Sequence, residues 1–312
     1  MKNRLFNLAK LVISIGLLAL LFRLYDFRQS WDALKGMDWR YFALAFLLFE
    51  ASQFVRAFRW KYLLDAVGVP VPVHRLTYLY YVGTFFNTFL PSGFGGDAIK
   101  MVELARYSKH TSESVSTVLV DRLAGIIMLF IMGLIALPFT YGALPPVERT
   151  FLLVASMGGL FASWLLFQRK LADLFLRFIP RKIRAKLESL YDALHTCGTR
   201  ALWKSLAVSA LFNVTLFSLN YFIALALDVH LPFTYFVAFM PILSLSMLIP
   251  SVGALGTREG AYVLLFGAAG VAQTVAIAMS LAFYAINVLT GLIGATLYAI
   301  DAVLNLRAKP VA

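Results

Sequence analysis

The chemistry this chain can do is concentrated in a few polar residues set where an apolar segment stops. Leu90-Pro91-Ser92-Gly93-Phe94-Gly95-Gly96-Asp97, followed by Lys100, ends one such segment. Ile249-Pro250-Ser251-Val252-Gly253-Ala254-Leu255-Gly256-Thr257-Arg258-Glu259 ends another, half a chain later. Asp121 and Arg122 lie together inside a third apolar run, and Glu50, Arg56 and Arg59 inside a fourth. Ionisable side chains at mid-helix in a membrane cost about 2.5–3.5 kcal/mol each on insertion scales, so their presence marks work to be done. Arg receives phosphate and carboxylate through two parallel hydrogen bonds. Helix N-termini, expected here at Gly95-Gly96-Asp97 and at Gly256-Thr257, favour anions through free N–H groups and the helix dipole.

Two roles are open to these charges. Asp97, Asp121, Glu50 and Glu259 nearly balance Lys100, Arg122, Arg258 and Arg56, as a neutral network locking helices together would. Alternatively Arg122 and Arg258, with Arg56 or Lys100, receive an anionic headgroup. Asp97 and Thr257 also suit helix capping, and Arg56 and Arg59 suit snorkelling to a nearby interface. Asn87, Asn213, Asn220, Asn287, Gln53 and Tyr284 are candidates for interhelical hydrogen bonds or a polar cavity lining.

The elements that must carry these residues are helices in a membrane. Of the 312 residues, 61% are hydrophobic and 14% charged, against about 45–50% and about 25% in soluble domains. Six segments are long enough to cross a bilayer: Leu5–Leu24, Tyr41–Leu64, Val115–Pro138, Phe151–Phe167, Ala201–Leu227 and Ala272–Ile300. Leu76–Leu90 and Phe233–Ile249 are shorter and run into the Pro-Ser-Gly breaks, after which Ala98–Ser108 and Arg258–Phe266 continue as short helices. Each pair is expected to form a re-entrant hairpin, because unwound backbone survives at membrane depth only inside protein or beside a wet cavity. The N-terminus lacks a small-residue cleavage site and is expected to stay as an uncleaved first span.

The net charge of +12 is distributed as an orientation signal. Arg169, Lys170, Arg177, Arg181, Lys182, Arg184, Lys186, Arg200 and Lys204 make the middle segment cytoplasmic. The links 140–150 and 228–232 then face outside, and both termini fall inside. The basic first external loop (Arg23, Arg28, Lys35, Arg40) runs against this rule. Each half reads span, span, hairpin, span, with the two hairpins entering from opposite faces. The expected fold is therefore an all-α polytopic membrane protein of six full spans plus two re-entrant helical hairpins. Its pseudo-repeats, about 1–140 and 150–306, form an inverted-topology repeat, joined by an amphipathic interfacial linker over 169–200.

Several function classes are set aside. The Lys and Arg residues flank apolar spans rather than forming a soluble basic face, so nucleic acid is not an expected partner. There is no Walker loop, GxSxG elbow, HExxH or CxxC pattern. The one cysteine, Cys197, and the four histidines show no metal spacing. No cofactor or metal is expected.

The chain resembles the lysylphosphatidylglycerol synthase transmembrane-region family in four ordered stretches. These are Arg56-Ala-Phe-Arg59-Trp60, Asn87 through Pro91-Ser92-Gly93 to Gly95-Gly96-Asp97, Val120-Asp121-Arg122-Leu-Ala-Gly125, and Pro250-Ser251 through Gly253 to Gly256-Thr257-Arg258-Glu259. The resemblance implies a lipid-translocating domain of a cytoplasmic or inner membrane that handles anionic headgroups. The chain ends at Ala312 without a soluble aminoacyl-transferase domain, so lysyl-lipid synthesis is not expected. The expected activity is movement of an anionic phospholipid, glycolipid or polyprenyl-linked lipid between leaflets. The alternatives are a membrane-embedded lipid-modifying enzyme, or a scaffold for a lipid or glycan biosynthetic enzyme.

Overall fold

The computed structural model describes residues 27–89, 95–141, 144–168, 181–246 and 256–307. The expected first span, Leu5–Leu24, lies outside them, as do Pro91, Ser92, Gly93, Pro250, Ser251 and Gly253. The described residues are helical throughout, joined by short turns.

In chain order the helices are α1 (Phe27–Lys35), α2 (Trp39–Ala66), α3 (Val73–Phe89), α4 (Gly95–Ser108), α5 (Thr111–Ala136), α6 (Pro146–Phe167), α7 (Arg181–Ala226), α8 (Phe233–Ser246), α9 (Thr257–Ala268) and α10 (Gln273–Arg307). A 3-10 turn, Leu137–Thr140, closes α5. Four helical stretches are long and apolar enough to cross a membrane: Trp39–Ala66, Thr111–Thr140, Leu194–Ala226 and Gln273–Leu304. They coincide with the second, third, fifth and sixth expected spans. The fourth expected span forms α6, a 22-residue helix. Its apolar side chains Phe151, Val154, Met157, Phe161 and Trp164 are exposed, as a surface with no core to face would be in lipid.

The short apolar segments pair as expected from the breaks. Asn87 and Gly83 of α3 meet Gly96 of α4, and Tyr80 meets Lys100. Because the contacts run in opposite chain directions, α3 and α4 are antiparallel. Phe236 and Phe239 of α8 pack against Phe266 near the end of α9, one tilted and one edge-on, giving a second antiparallel pair.

The turns before the two pairs share one geometry. Gly68 takes φ +76° and the next N–H, from Val69, reaches back to the Leu64 carbonyl. Asp228 takes φ +58° and the next N–H, from Val229, reaches back to the Ala224 carbonyl. Left-handed residues of this kind end helices by satisfying their last carbonyls. In both halves a proline follows, and its carbonyl starts the hairpin helix: Pro72 accepts from Arg75, and Pro232 from Tyr235.

In the middle segment α7 is two helices meeting at a sharp break, Gly198 (φ 74°, ψ 158°): the part from Arg181 ends there and the fifth span follows. Leu194 and Cys197, just before that break, are buried with Leu63 of α2 and Val120 of α5. Their apolar face is spent on the protein core. The first half of the expected linker, residues 169–180, lies outside the described residues.

Candidate functional site

The first-half charges converge on one cavity of about 270 Å³. Helices α2, α3, α4, α5, α7 and α8 supply its walls. Arg56 and Arg59 come from α2, Asn87 from α3, Asp97 and Lys100 from α4, and Asp121 and Arg122 from α5. Holding one water takes about 10–15 Å³, so the space admits a polar group of headgroup size.

Arg59 and Asp121 form its rigid wall. The Arg59 Nε donates to Asp121 Oδ1 at 2.6 Å and Nη2 donates to Oδ2 at 3.0 Å. Nη1 donates to the Ser209 hydroxyl of α7 at 3.1 Å, and the Tyr80 hydroxyl donates to Asp121 Oδ2 at 2.5 Å. Arg59 can lie this deep because Gly125, one turn beyond Asp121, leaves room. A Cβ there would sit 3.1 Å from Nη1. Arg59 is 5% exposed, so the snorkelling expectation is wrong for it. The bidentate partner across the bundle outweighs escape to the surface.

Asp97 is the second carboxylate. It holds the Lys100 ammonium at 2.8 Å and also pairs with Arg122. The neighbours Asp121 and Arg122 therefore do not pair with each other. Successive residues of a helix point about 100° apart, and each reaches a different partner. Asp97 leaves the hairpin cap to Asn87, whose Oδ1 accepts the Gly96 N–H at 2.8 Å across the α3–α4 pair. Gly95 sits buried beside Gly96 in that first turn. Lys100 also lies over the Tyr80 ring at 4.4 Å.

Arg56 stands apart. Its Nη2 donates to Gln53 Oε1 at 2.6 Å, and its guanidinium lies 5.0 Å from the Tyr80 ring centre and 5.3 Å from that of Phe212. No carboxylate among the described residues pairs with it, and its buried Nε has no hydrogen-bond partner. Among the described residues the cavity lining thus has four cationic side chains against two carboxylates, a formal excess of two positive charges. One excess charge is at Arg56. The other is shared by the Lys100–Asp97–Arg122 triad.

The second break is built differently. Arg258 and Glu259 are each 2% exposed and pair at 2.5 Å. The Ser280 hydroxyl of α10 accepts from Arg258 Nε at 2.7 Å and donates to Glu259 Oε1 at 3.0 Å. Glu259 Oε2 accepts the Gly256 N–H at 2.6 Å, capping α9, which Thr257 begins. Gly256 takes φ +85°, where a Cβ would be strained. This cluster does not line the cavity; it is a closed, neutral lock between α9 and α10.

Sequence reasoning missed the neutral partners: Tyr80, Tyr81, Ser209, Ser280 and Thr290. A signal did exist for one of them. Ser205, Ser209 and Asn213 recur every four residues along the expected fifth span, which puts them on one helix face. All three are buried, and Asn213 lines the cavity. Asn220 continues toward the second half, accepting from Tyr262, whereas Asn287 bonds only to its own helix.

An all-helical bundle with apolar, membrane-length helices around a cationic cavity defines an integral membrane protein with a buried polar site. The family described as the lysylphosphatidylglycerol synthase TM region matches residues 7–294. The chain belongs to that family. Comparison with curated proteins returned no match.

Proposed function

We propose that the protein carries the headgroup of an anionic membrane lipid across the bilayer. The observation that carries this reading is Arg56, a buried guanidinium of the cavity that pairs with no carboxylate among the described residues, in a lining where described cations outnumber carboxylates. An uncompensated guanidinium at membrane depth is costly. An anionic headgroup entering the cavity would supply the missing counter-charge, while the acyl chains remain in lipid. Phosphate esters in phospholipids, glycolipids and polyprenyl-linked lipids share the required chemistry, and family membership supports a lipid-related role. In this reading the protein is a carrier rather than an enzyme: the lining cations and amides hold and release an anion.

The two helix pairs, α3–α4 and α8–α9, serve in this reading as re-entrant hairpins of an inverted repeat. The repeated turn at Gly68 and Asp228 supports common ancestry of the halves. Alternating access in such repeats arises from rocking one half against the other. The membrane is the cytoplasmic or inner one, with the 181–200 segment on the cytoplasmic side by its basic residues.

The test is translocation in proteoliposomes, using fluorescent phosphatidylglycerol and phosphatidylcholine with an impermeant quencher. Wild type is expected to move phosphatidylglycerol faster. Arg56→Gln is expected to slow it tenfold or more, since a hydrogen bond to a charged group contributes about 1.5–3 kcal/mol. Equal rates for Arg56→Gln and wild type would remove Arg56 from the site. No movement of any anionic lipid by folded wild type would sink the reading.

A further inference from the structure

Among the described residues, one carboxylate near the middle of a membrane-length helix pairs with no cation. Glu50 lies near the middle of the α2 span, and its two oxygens accept hydroxyl hydrogen bonds from two other helices. The Tyr81 hydroxyl of α3 donates to Oε2 at 2.5 Å, and the Thr290 hydroxyl of α10 donates to Oε1 at 2.5 Å. No Lys, Arg or His among the described residues forms an ion pair with it. Other carboxylates of the described helices have such partners: Asp97 has Lys100, Asp121 has Arg59, Glu259 has Arg258, and Asp301 has Arg75. Glu50 is only partly buried.

On the same helix is a cation of the opposite kind, Arg56, which has no carboxylate partner among the described residues. Glu50, Gln53 and Arg56 follow at intervals of three along one ridge of α2. Gln53 accepts from Arg56 through Oε1, and its buried Nε2 has no partner. Six residues place the two charges about 9 Å apart along the axis. Arg59, next on the ridge, is held by Asp121, which leaves Glu50 and Arg56 as opposite charges without ion-pair partners among the described residues. An anion that binds Arg56 offsets the positive charge nearest to Glu50 on that ridge.

We propose that Glu50 is a proton-binding site linked to the anion at Arg56, so that lipid and proton are carried together. This rests on the transport reading above. The step is protonation of the carboxylate by a proton from the aqueous phase; the acid formed keeps oxygens that can still accept from Tyr81 and Thr290. Linkage is reciprocal, so the anion raises proton affinity and the proton raises anion affinity by the same factor. A unit charge about 9 Å away at the effective dielectric of such sites sets that factor on the order of tenfold. The carboxylates on the neighbouring helices have partners of their own. Tyr81 of α3 is its own donor and Thr290 of α10 does not titrate. Asp121 of α5 is engaged by Arg59, Asp301 of α10 by Arg75, and α7 offers the uncharged Asn213 and Asn220.

The test reads the carboxylic-acid stretch by infrared difference spectroscopy while pH is titrated. The protein is held in nanodiscs of phosphatidylcholine, with or without phosphatidylglycerol. The expected result is a titrating band absent from Glu50→Gln, with a midpoint that rises by about one pH unit when phosphatidylglycerol is present. Arg56→Gln should keep the band and lose the lipid response. Thr290→Val, which keeps the carboxyl but removes one donor to its charged form, should raise the midpoint and guard against a misfolded Glu50→Gln. No band assignable to Glu50, or one indifferent to phosphatidylglycerol, overturns the proposal. Displacement of the band by sodium in place of protons overturns it in favour of a metal cation. In proteoliposomes with a trapped pH dye, wild type should move protons with phosphatidylglycerol, and Glu50→Gln should move the lipid downhill without them. If wild type moves no lipid while the band still responds to it, the transport reading fails and the linked site stands.

Discussion

Arg59 and Asp121 are the charges whose loss the molecule should tolerate least. Both are almost fully buried and each satisfies the other bidentately. Breaking a buried pair by removing one partner costs about 3–5 kcal/mol, because the survivor is left uncompensated. Asp121→Asn is therefore expected to lower the thermal unfolding midpoint of the detergent-solubilised protein sharply, while Asp121→Leu with Arg59→Met recovers most of the loss. Equal stability of Asp121→Asn and wild type would show that the pair is not held as described. Arg56→Gln should behave in the opposite way, with stability kept and translocation lost, since no carboxylate depends on it. The residue types that build the site were legible in the sequence, because a charge in an apolar run stands out. Their pairing was not. Asp121 and Arg122 look like partners in one dimension, yet the helix turns them to different neighbours. Arg59 looked free to reach an interface until α5 and α7 closed over it. Hydroxyls such as Tyr80 and Thr290 barely alter hydropathy, so nothing in a linear reading set them apart.

At the scale of elements, the two helix pairs were legible because Pro, Ser and Gly interrupt apolar runs at matching places. What fixes the first pair is close approach. A Cβ on Gly96 would overlap the Gly83 carbonyl and the Asn87 amide. Backbone cannot yield as a flexible side chain does, so Gly96→Ala should push α4 from α3 and break the Asn87 cap. Overpacking of this kind costs about 1–3 kcal/mol. The loss should appear as a lower unfolding midpoint together with weakened lipid movement, because Asp97 and Lys100 ride on α4. Gly267→Ala, at a position with open space around it, is the matched control and should change little. The basic middle segment was the element least legible in advance. Its amphipathic pattern fits an interface or a protein core equally well, and at its end Leu194 and Cys197 pack into the core.

For the whole molecule, the order of helices and the membrane class followed from composition and length, whereas the facing of each half rests on charge alone. Impermeant maleimide labelling tests it. In a Cys197→Ala background, single cysteines at His110 and Arg200 should label from the cytoplasmic face, and those at Tyr141 and Asp228 from the other. Labelling of His110 and Tyr141 from the same face would break the inverted arrangement.

Helix α3 meets backbone on both flanks. Gly96 of α4 closes on the Gly83 carbonyl, and a Cβ on Gly294 of α10 would overlap the Tyr81 carbonyl. With no side chain between them, these three helices have no lubricating layer to slide on and should travel as one plate. Any opening of the cavity then falls to the seam between α4 and α5, where Asp97 and Arg122 meet through side chains that can change partners. A chemical staple joining α3 to α10 should leave transport running, and one joining α4 to α5 should freeze it.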